Sequence, residues 1–235
     1  MALGPFYVAD KLRSGTGPRG IALFMRHGET AWNRIGKVMG QLPIELDEAG
    51  RAQVAMAIPA AKLIKPDLIV TSPLPRARQS ADIIADGVGG ITVTEDADLE
   101  EVRYGRWAGM VFTELMEDPE YRLYRQNPLT TPTPGGETIA EVQARGMNAV
   151  RRAIEANPGK RILFVSHGDI IRTVLCQLVG AEIAHFRRIR IDNATFSAVQ
   201  IVGDFAEVKF MNWLPDPERA FVAPFKIPPK KTAAT

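Results

Sequence analysis

Three apolar runs, each stopped by residues able to do chemistry, constrain this chain more than any other feature. Ile21-Ala22-Leu23-Phe24-Met25 ends at Arg26-His27-Gly28, Leu68-Ile69-Val70 ends at Thr71-Ser72-Pro73, and Ile162-Leu163-Phe164-Val165 ends at Ser166-His167-Gly168. Continuous runs of this length suit strands buried on both faces. Helical patterns lie between and after them. Residues 48–63 are Ala-rich and periodic, with Pro59 expected to kink or end the helix. Residues 76–86 and 170–179 are further helices. Over residues 138–157, Thr138 and Glu141 form a capping-box pattern, and Asn157-Pro158-Gly159 stops the helix. Residues 195–201 and 206–210 flank Gly203-Asp204 as a late hairpin. Strands alternating with helices predict an α/β fold with a largely parallel sheet. In such sheets function collects at the carboxyl ends of the strands, so two histidines and two arginines would meet at one rim.

Composition narrows the class. With 46% hydrophobic and 24% charged residues, the chain reads as one globular domain with elaborations. A formal charge of +2 does not argue for a nucleic acid or a membrane surface as partner. The single cysteine, Cys176, excludes an intrachain disulfide and fits a reducing compartment. The first twenty residues lack the apolar core of a signal peptide, and no run is long enough to cross a bilayer. The expected setting is the cytoplasm. Residues 1–19 read as an irregular arm, 20–214 as one domain, and 215–235 as an extended or disordered tail.

His27 at a strand end, beside Arg26, is poorly placed as core filler. A neighbouring guanidinium favours the neutral imidazole, and only the neutral form is a nucleophile. Gly28 is expected to let the backbone turn sharply and a ligand approach closely. A hydrogen-bonded turn histidine is the bland alternative. Ser166-His167-Gly168 repeats the strand–His–Gly arrangement in a chain with three histidines, which favours a shared site. Metal binding by the pair lacks an HxH or HExxH pattern and a carboxylate at ligand spacing, so neither metal nor cofactor is expected. Arg76 follows Pro75 at a helix start, where free N–H groups favour anions, and its planar guanidinium can grip two phosphate oxygens. A surface arginine is the alternative. Arg78 and His185 read as surface residues, and Cys176 as buried packing. Transfer of a phosphoryl group is largely positioning and charge stabilisation, and Arg26, Arg76 and His167 are the right donors for it.

At this point the chain resembles the histidine phosphatase superfamily, the phosphoglycerate mutase-like proteins. The resemblance rests on Arg26-His27-Gly28-Glu29-Thr30 with Trp32-Asn33, on Ser72-Pro73-Leu74 with Arg76-Ala77, on the stretch 99–109, and on Ser166-His167-Gly168 with Ile171-Arg172, all in the family's order. It implies a three-layer sandwich with a mostly parallel central sheet and helices on both faces. It also implies His27 as the phosphorylated nucleophile, Glu101 as the acid that protonates the leaving oxygen, and His167, Arg26 and Arg76 as catalytic groups holding the phosphate. Arg26, Asn33, Arg76, Gly168 and Thr30 are the substrate-binding set. Pro43, Glu45 and Ala108 depart from the family pattern, in which Asp, Pro and an acidic residue are common. The segment 134–138 resembles the phosphatase members, and Glu137 can be read as a first-turn dipole partner.

The implied activity is hydrolysis of small phosphorylated metabolites through a phosphohistidine, without metal. Trp107 and Gly109, the short stretch between Glu101 and Gly135, and Val102 favour hydrolysis. The alternative is phosphoglycerate mutase-type transfer, toward which Tyr104-Gly105 leans. A second alternative is an inactive phosphate-binding or interaction protein on the same scaffold. A lid insertion at about residues 108–135 is expected to set specificity, with Tyr121, Tyr124, Arg122 and Arg125 as candidates to touch the substrate's far end. The expected partner is a small phosphorylated substrate. A homodimer is open, with Trp213, Phe221 and Phe225 as candidate packing residues.

Overall fold

The computed structural model describes residues 17–214. The apolar runs become β1 (Arg19–Arg26), β2 (Leu68–Thr71) and β4 (Arg161–Ser166). With β3 (Val93–Glu95), β5 (Phe196–Val202) and β6 (Phe205–Trp213) they form a six-stranded sheet in the order β3-β2-β4-β1-β5-β6. The pairs β3/β2, β2/β4 and β4/β1 are parallel, whereas β1/β5 and β5/β6 are antiparallel. The hairpin thus extends one side of a parallel centre.

Both faces of that centre are covered, which is why the runs are apolar without alternation. Ala22 and Phe24 of β1 belong to one core, with Val142, Val150 and Ile154 of one helix and Ile171, Val174 and Leu175 of another. Leu23 and Met25 face the other core, with Val54, Ala57, Ala61, Ala77, Ala81 and Ile84. Successive strand side chains point to opposite faces. Each fully buried large side chain contributes about 1.5–3 kcal/mol, so a charge at Phe24 or Met25 would unseat one layer.

The helices in chain order are α1 (Ala31–Arg34), α2 (Glu48–Met56), α3 (Ile58–Ile64), α4 (Pro75–Val88), α5 (Phe112–Leu115), α6 (Pro119–Gln126), α7 (Ile139–Ala156) and α8 (Gly168–Leu178). The helix expected over 48–63 breaks at Ala57, and Pro59 sits in the first turn of α3, where its missing N–H costs nothing. α4 starts on Pro75 and ends on Gly89 in the left-handed region, φ 114°. Both halves of the Thr138–Glu141 capping box form at α7. β3 has no counterpart among the sequence expectations: three residues, mostly exposed, carry no apolar run.

β1 opens at Arg19, the last residue assigned to the arm, and the Gly203 N–H donates to the Pro18 carbonyl at 2.9 Å. The rest of the arm, the tail, Phe221 and Phe225 lie outside the described residues. Trp213 stacks obliquely on Phe210, with ring centroids 5.1 Å apart. Among the described residues no helix is long and apolar enough to cross a membrane.

Candidate active site

Strand register brings the two histidines together. The β1/β4 register places Arg26 beside Ser166, and the β2/β4 register places Thr71 beside Val165. The His27 N–H then donates to the Ser166 carbonyl at 2.9 Å, and the Ser72 N–H to the Val165 carbonyl at 3.0 Å. The rings of His27 and His167 lie 5.2 Å apart. The loop before β5 braces this rim: the Ala194 N–H donates to the Arg26 carbonyl, and Asn193 Nδ2 to the His27 carbonyl, each at 2.9 Å.

His27 Nδ1 is 2.6 Å from the Gly28 carbonyl oxygen. A carbonyl only accepts, so Nδ1 carries the hydrogen and Nε2 keeps its lone pair. Burial first, then the charges of Arg76 and Arg26, hold this imidazole well below its ordinary pKa. The expectation named only the neighbouring guanidinium; burial is the larger cause. His167 is likewise held well below its ordinary value, by burial and then Arg76. Its Nε2 lies 2.8 Å from Ser72 Oγ, which also accepts the Leu74 N–H at 3.3 Å.

Arg76 is wholly buried in the first turn of α4. Its Nη1 donates to the Leu42 carbonyl at 3.0 Å and its Nη2 to the Gly40 carbonyl at 2.6 Å. Burial, chiefly, lowers its pKa to about 10. Pro43 and Glu45, which depart from the family pattern, are exposed beside these backbone contacts. The loop grips Arg76 through carbonyls, so those side chains do not enter the clamp. Arg26 Nη1 donates to the Ile191 carbonyl at 2.9 Å. Arg26 Nε, Arg76 Nε and His167 Nδ1 are buried and lack a partner among the described residues. A buried donor left unmade costs about 1–3 kcal/mol. In the tautomer whose Nε2 accepts from the Ser72 hydroxyl, His167 Nδ1 is a donor beside the two guanidinium N–H groups, and this set beside a neutral imidazole suits a tetrahedral oxyanion.

Glu101 lies within electrostatic reach of Arg76 and Arg26. Its Oε1 accepts the Val102 N–H at 3.0 Å. Burial and the nearby charge of Asp169 raise its pKa, against the Val102 N–H, Arg76 and Arg26, which lower it. The carboxyl therefore keeps its proton to higher pH than an exposed glutamate. Arg76 and Glu101 are among the residues lining a cavity of about 160 Å³, whose walls also include Lys37, Val38, Tyr104, Phe112, Leu115 and Tyr121.

Thr30 and Asn33 hold each other in a capping box at α1, with the Thr30 hydroxyl also on Met39 Sδ at 3.3 Å. Gly168 opens α8, and a Cβ there would meet Arg172 Nη1 at 3.3 Å and the Arg26 guanidinium carbon at 3.7 Å. Gly28 also serves packing, which the sequence did not show. A Cβ on it would meet the Gly50 carbonyl oxygen and Val54 Cγ2, each at 2.6 Å, so it permits the close approach of α2. Glu137 is no first-turn dipole partner: its carboxylate pairs with Arg145 Nε at 2.9 Å and accepts the Arg103 N–H at 2.9 Å.

The segment 108–135 separates the four expected substrate-facing residues. Tyr121 lines the cavity. Tyr124 is buried edge-on against Trp107, with the Arg187 guanidinium 5.3 Å from its ring. Arg122 pairs with Glu117 at 3.0 Å, and Arg125 Nη1 lies 3.2 Å from Met116 Sδ; both are exposed. Trp107 pins the lid by donating to Asp118 Oδ2 at 3.0 Å, while Asp118 also caps α6.

Residues 22–214 match the sequence pattern of the histidine phosphatase superfamily (branch 1). The chain belongs to the histidine phosphatase superfamily. It is 29% identical to phosphoserine phosphatase 1 of Hydrogenobacter thermophilus, over 76% of this chain and 85% of the relative. It is 36% identical to phosphoglycerate mutase-like protein 4 of Arabidopsis thaliana, over 64% of this chain and 67% of that one. A solved structure of a mycobacterial glucosyl-3-phosphoglycerate phosphatase with VO3 superposes with a TM-score of 0.74 at 27% identity, covering 83% and 99% of the two chains.

In this histidine phosphatase the sequence expectations overlooked Asp169 and Arg145. Asp169 accepts the Tyr104 hydroxyl at 2.6 Å and pairs with Arg172 at 2.7 Å. Burial raises its pKa, but Arg172 and the Tyr104 hydroxyl outweigh it, so it stays ionised and raises Glu101 in turn. An acid directly after Ser-His-Gly at a helix start was the available signal; such residues are usually dipole partners.

Proposed function

We propose that this chain hydrolyses small phosphomonoesters through a phosphohistidine on His27. It is a phosphatase of its superfamily, and the observation that carries the mechanism is the tautomer of His27: the Gly28 carbonyl accepts a hydrogen bond from Nδ1–H, leaving Nε2 unprotonated. Nε2 attacks phosphorus while Arg26, Arg76 and His167 stabilise charge on the equatorial oxygens. The ester P–O bond breaks, and the Glu101 carboxyl gives its proton to the leaving oxygen. Water then attacks the phosphohistidine and returns a proton to Glu101. The P–N bond breaks, inorganic phosphate leaves and Nε2 regains its lone pair. Thr30 and Asn33 support this site by capping α1.

Relatives named phosphoserine phosphatase and glucosyl-3-phosphoglycerate phosphatase favour a small phosphorylated metabolite as substrate. The single cysteine and small net charge support a cytoplasmic enzyme with neither nucleic acid nor membrane as partner. A second reading, phosphoryl transfer of the phosphoglycerate mutase type, is favoured by the relative named phosphoglycerate mutase-like protein 4.

Phosphate release from a metabolite panel, run beside a mutase assay with His27→Ala as control, tests both. Hydrolysis by wild type alone supports the phosphatase. Conversion of a substrate into its positional phosphate isomer without phosphate release supports the mutase. Wild type as idle as the variant, on aryl phosphates too, would mean an inactive scaffold.

A further inference from the structure

The turn that carries Glu101 is held by a largely buried cation on α7. Arg145 lies on α7, three residues after the core residue Val142 and hence on the face turned inward. Its side chain is 15% exposed, and that of its partner Glu137 is 9%. Arg145 Nη1 donates to the carbonyls of Asp98 at 2.8 Å and Glu100 at 2.6 Å, and Nη2 donates to that of Glu101 at 3.1 Å. The remaining edge of the fork meets Glu137: Nε to Oε1 at 2.9 Å and Nη2 to Oε2 at 3.1 Å.

Glu137 is itself locked to the same turn. It accepts the Arg103 N–H, and Thr133 Oγ1 donates to the Arg103 carbonyl at 2.5 Å. The loops are pressed so close that a Cβ on Gly136 would stand 1.7 Å from the Arg103 carbonyl oxygen, and one on Gly105 1.7 Å from that of Pro134. Buried carbonyls need donors. Three carbonyls and both oxygens of the Glu137 carboxylate make five contacts, which a planar, five-donor guanidinium satisfies and a three-donor ammonium cannot.

We propose that Arg145, aligned by Glu137, is the positioning residue for the proton donor: by gathering the carbonyls of residues 98, 100 and 101 it sets where the Glu101 carboxyl stands against the leaving oxygen. This rests on the reading of Glu101 as the acid. Arg145 spends its donors on Glu137 and the turn and donates to no group of the phosphate clamp; its charge acts on His167 only behind burial, Arg76 and His27. Its loss should therefore harm reactions that need the proton and spare those that do not. Misplacing a reacting group by about 1 Å can cost about a hundredfold.

The test compares an alkyl phosphate with a nitrophenyl phosphate, whose leaving group needs no proton, in wild type, Arg145→Gln, Arg145→Lys, Glu137→Gln and Glu101→Gln. We expect Arg145→Gln to lower kcat/KM, which reports only the steps through release of the leaving group, about 10- to 100-fold for the alkyl ester. The nitrophenyl ester should stay within about threefold, with inhibition by vanadate unchanged. Arg145→Lys should fall between, and Glu137→Gln should show the same selectivity. Equal losses on both esters in Arg145→Gln, or no loss on the alkyl ester, would overturn the proposal. Should Arg145→Gln fail to fold, Glu137→Gln decides by the same criterion. Glu101→Gln separates the two levels of inference. If it loses both esters equally, the acid assignment fails. If it is selective while Arg145→Gln is not, only the positioning role fails.

Discussion

His27 Nδ1 and the Gly28 carbonyl oxygen, 2.6 Å apart, are a donor and acceptor from adjacent residues. This contact fixes the imidazole tautomer from within the same turn, independently of substrate. The electrostatics of the pocket then keep the ring neutral.

The pH dependence follows from that. Burial and the two arginines lower His27, and burial and Asp169 raise Glu101. For an alkyl phosphate, kcat/KM should fall at low pH as His27 takes a proton, with the midpoint below the ordinary imidazole value. It should fall again as Glu101 loses its proton, above the ordinary carboxyl value. A nitrophenyl ester should keep the first limb and lose the second. Profiles of equal shape for the two esters would contradict this assignment.

Arg76→Lys should not be conservative. Lys offers a point charge where a fork now reaches two carbonyls and keeps Nε free for an anion. We expect kcat/KM to fall about a hundredfold, with inhibition by vanadate weakened in parallel. Steady-state kinetics with vanadate titration checks both, and full retention of either would remove Arg76 from the clamp.

Gly28→Ala should act first on stability. Its Cβ would meet backbone oxygen and a packed valine at 2.6 Å. Overpacking of this kind costs about 1–3 kcal/mol. Denaturant unfolding should show a lower midpoint at unchanged slope. A variant as stable as wild type would mean that α2 moves away freely.

The lid residues should divide by what they touch. Tyr121→Ala and Phe112→Ala should change relative rates across a phosphoester panel, because both line the cavity. Arg122→Ala and Arg125→Ala should leave them unchanged, because their contacts are exposed and within the lid. The reverse pattern would place substrate on the outer face of α6.

The fold and the clamp are legible in the sequence for one reason. Apolar runs covered on both faces end abruptly, and the reactive residues come directly after: His27 after Met25-Arg26, and His167 after Val165-Ser166. Register does the rest, so local pattern suffices. β3 is not legible, because a short edge strand needs no apolar run. The Glu137–Arg145 pair is hidden differently. Its acceptors sit more than thirty residues upstream of it on the chain, and they are carbonyls, which leave no mark on side-chain choice. One clue existed: a charged residue at helical spacing from Val142, on the buried face of α7. Gly28 shows the same limit, since its neighbour Gly50 is close only in space.

The most direct measurement is rapid acid-free quench of the enzyme turning over a radiolabelled phosphoester, followed by peptide mapping. Label on His27 that is stable in alkali, lost in acid and absent from His27→Ala is the expected result. Steady turnover with no label at His27 under conditions where breakdown of the intermediate limits the rate would contradict covalent catalysis by this residue.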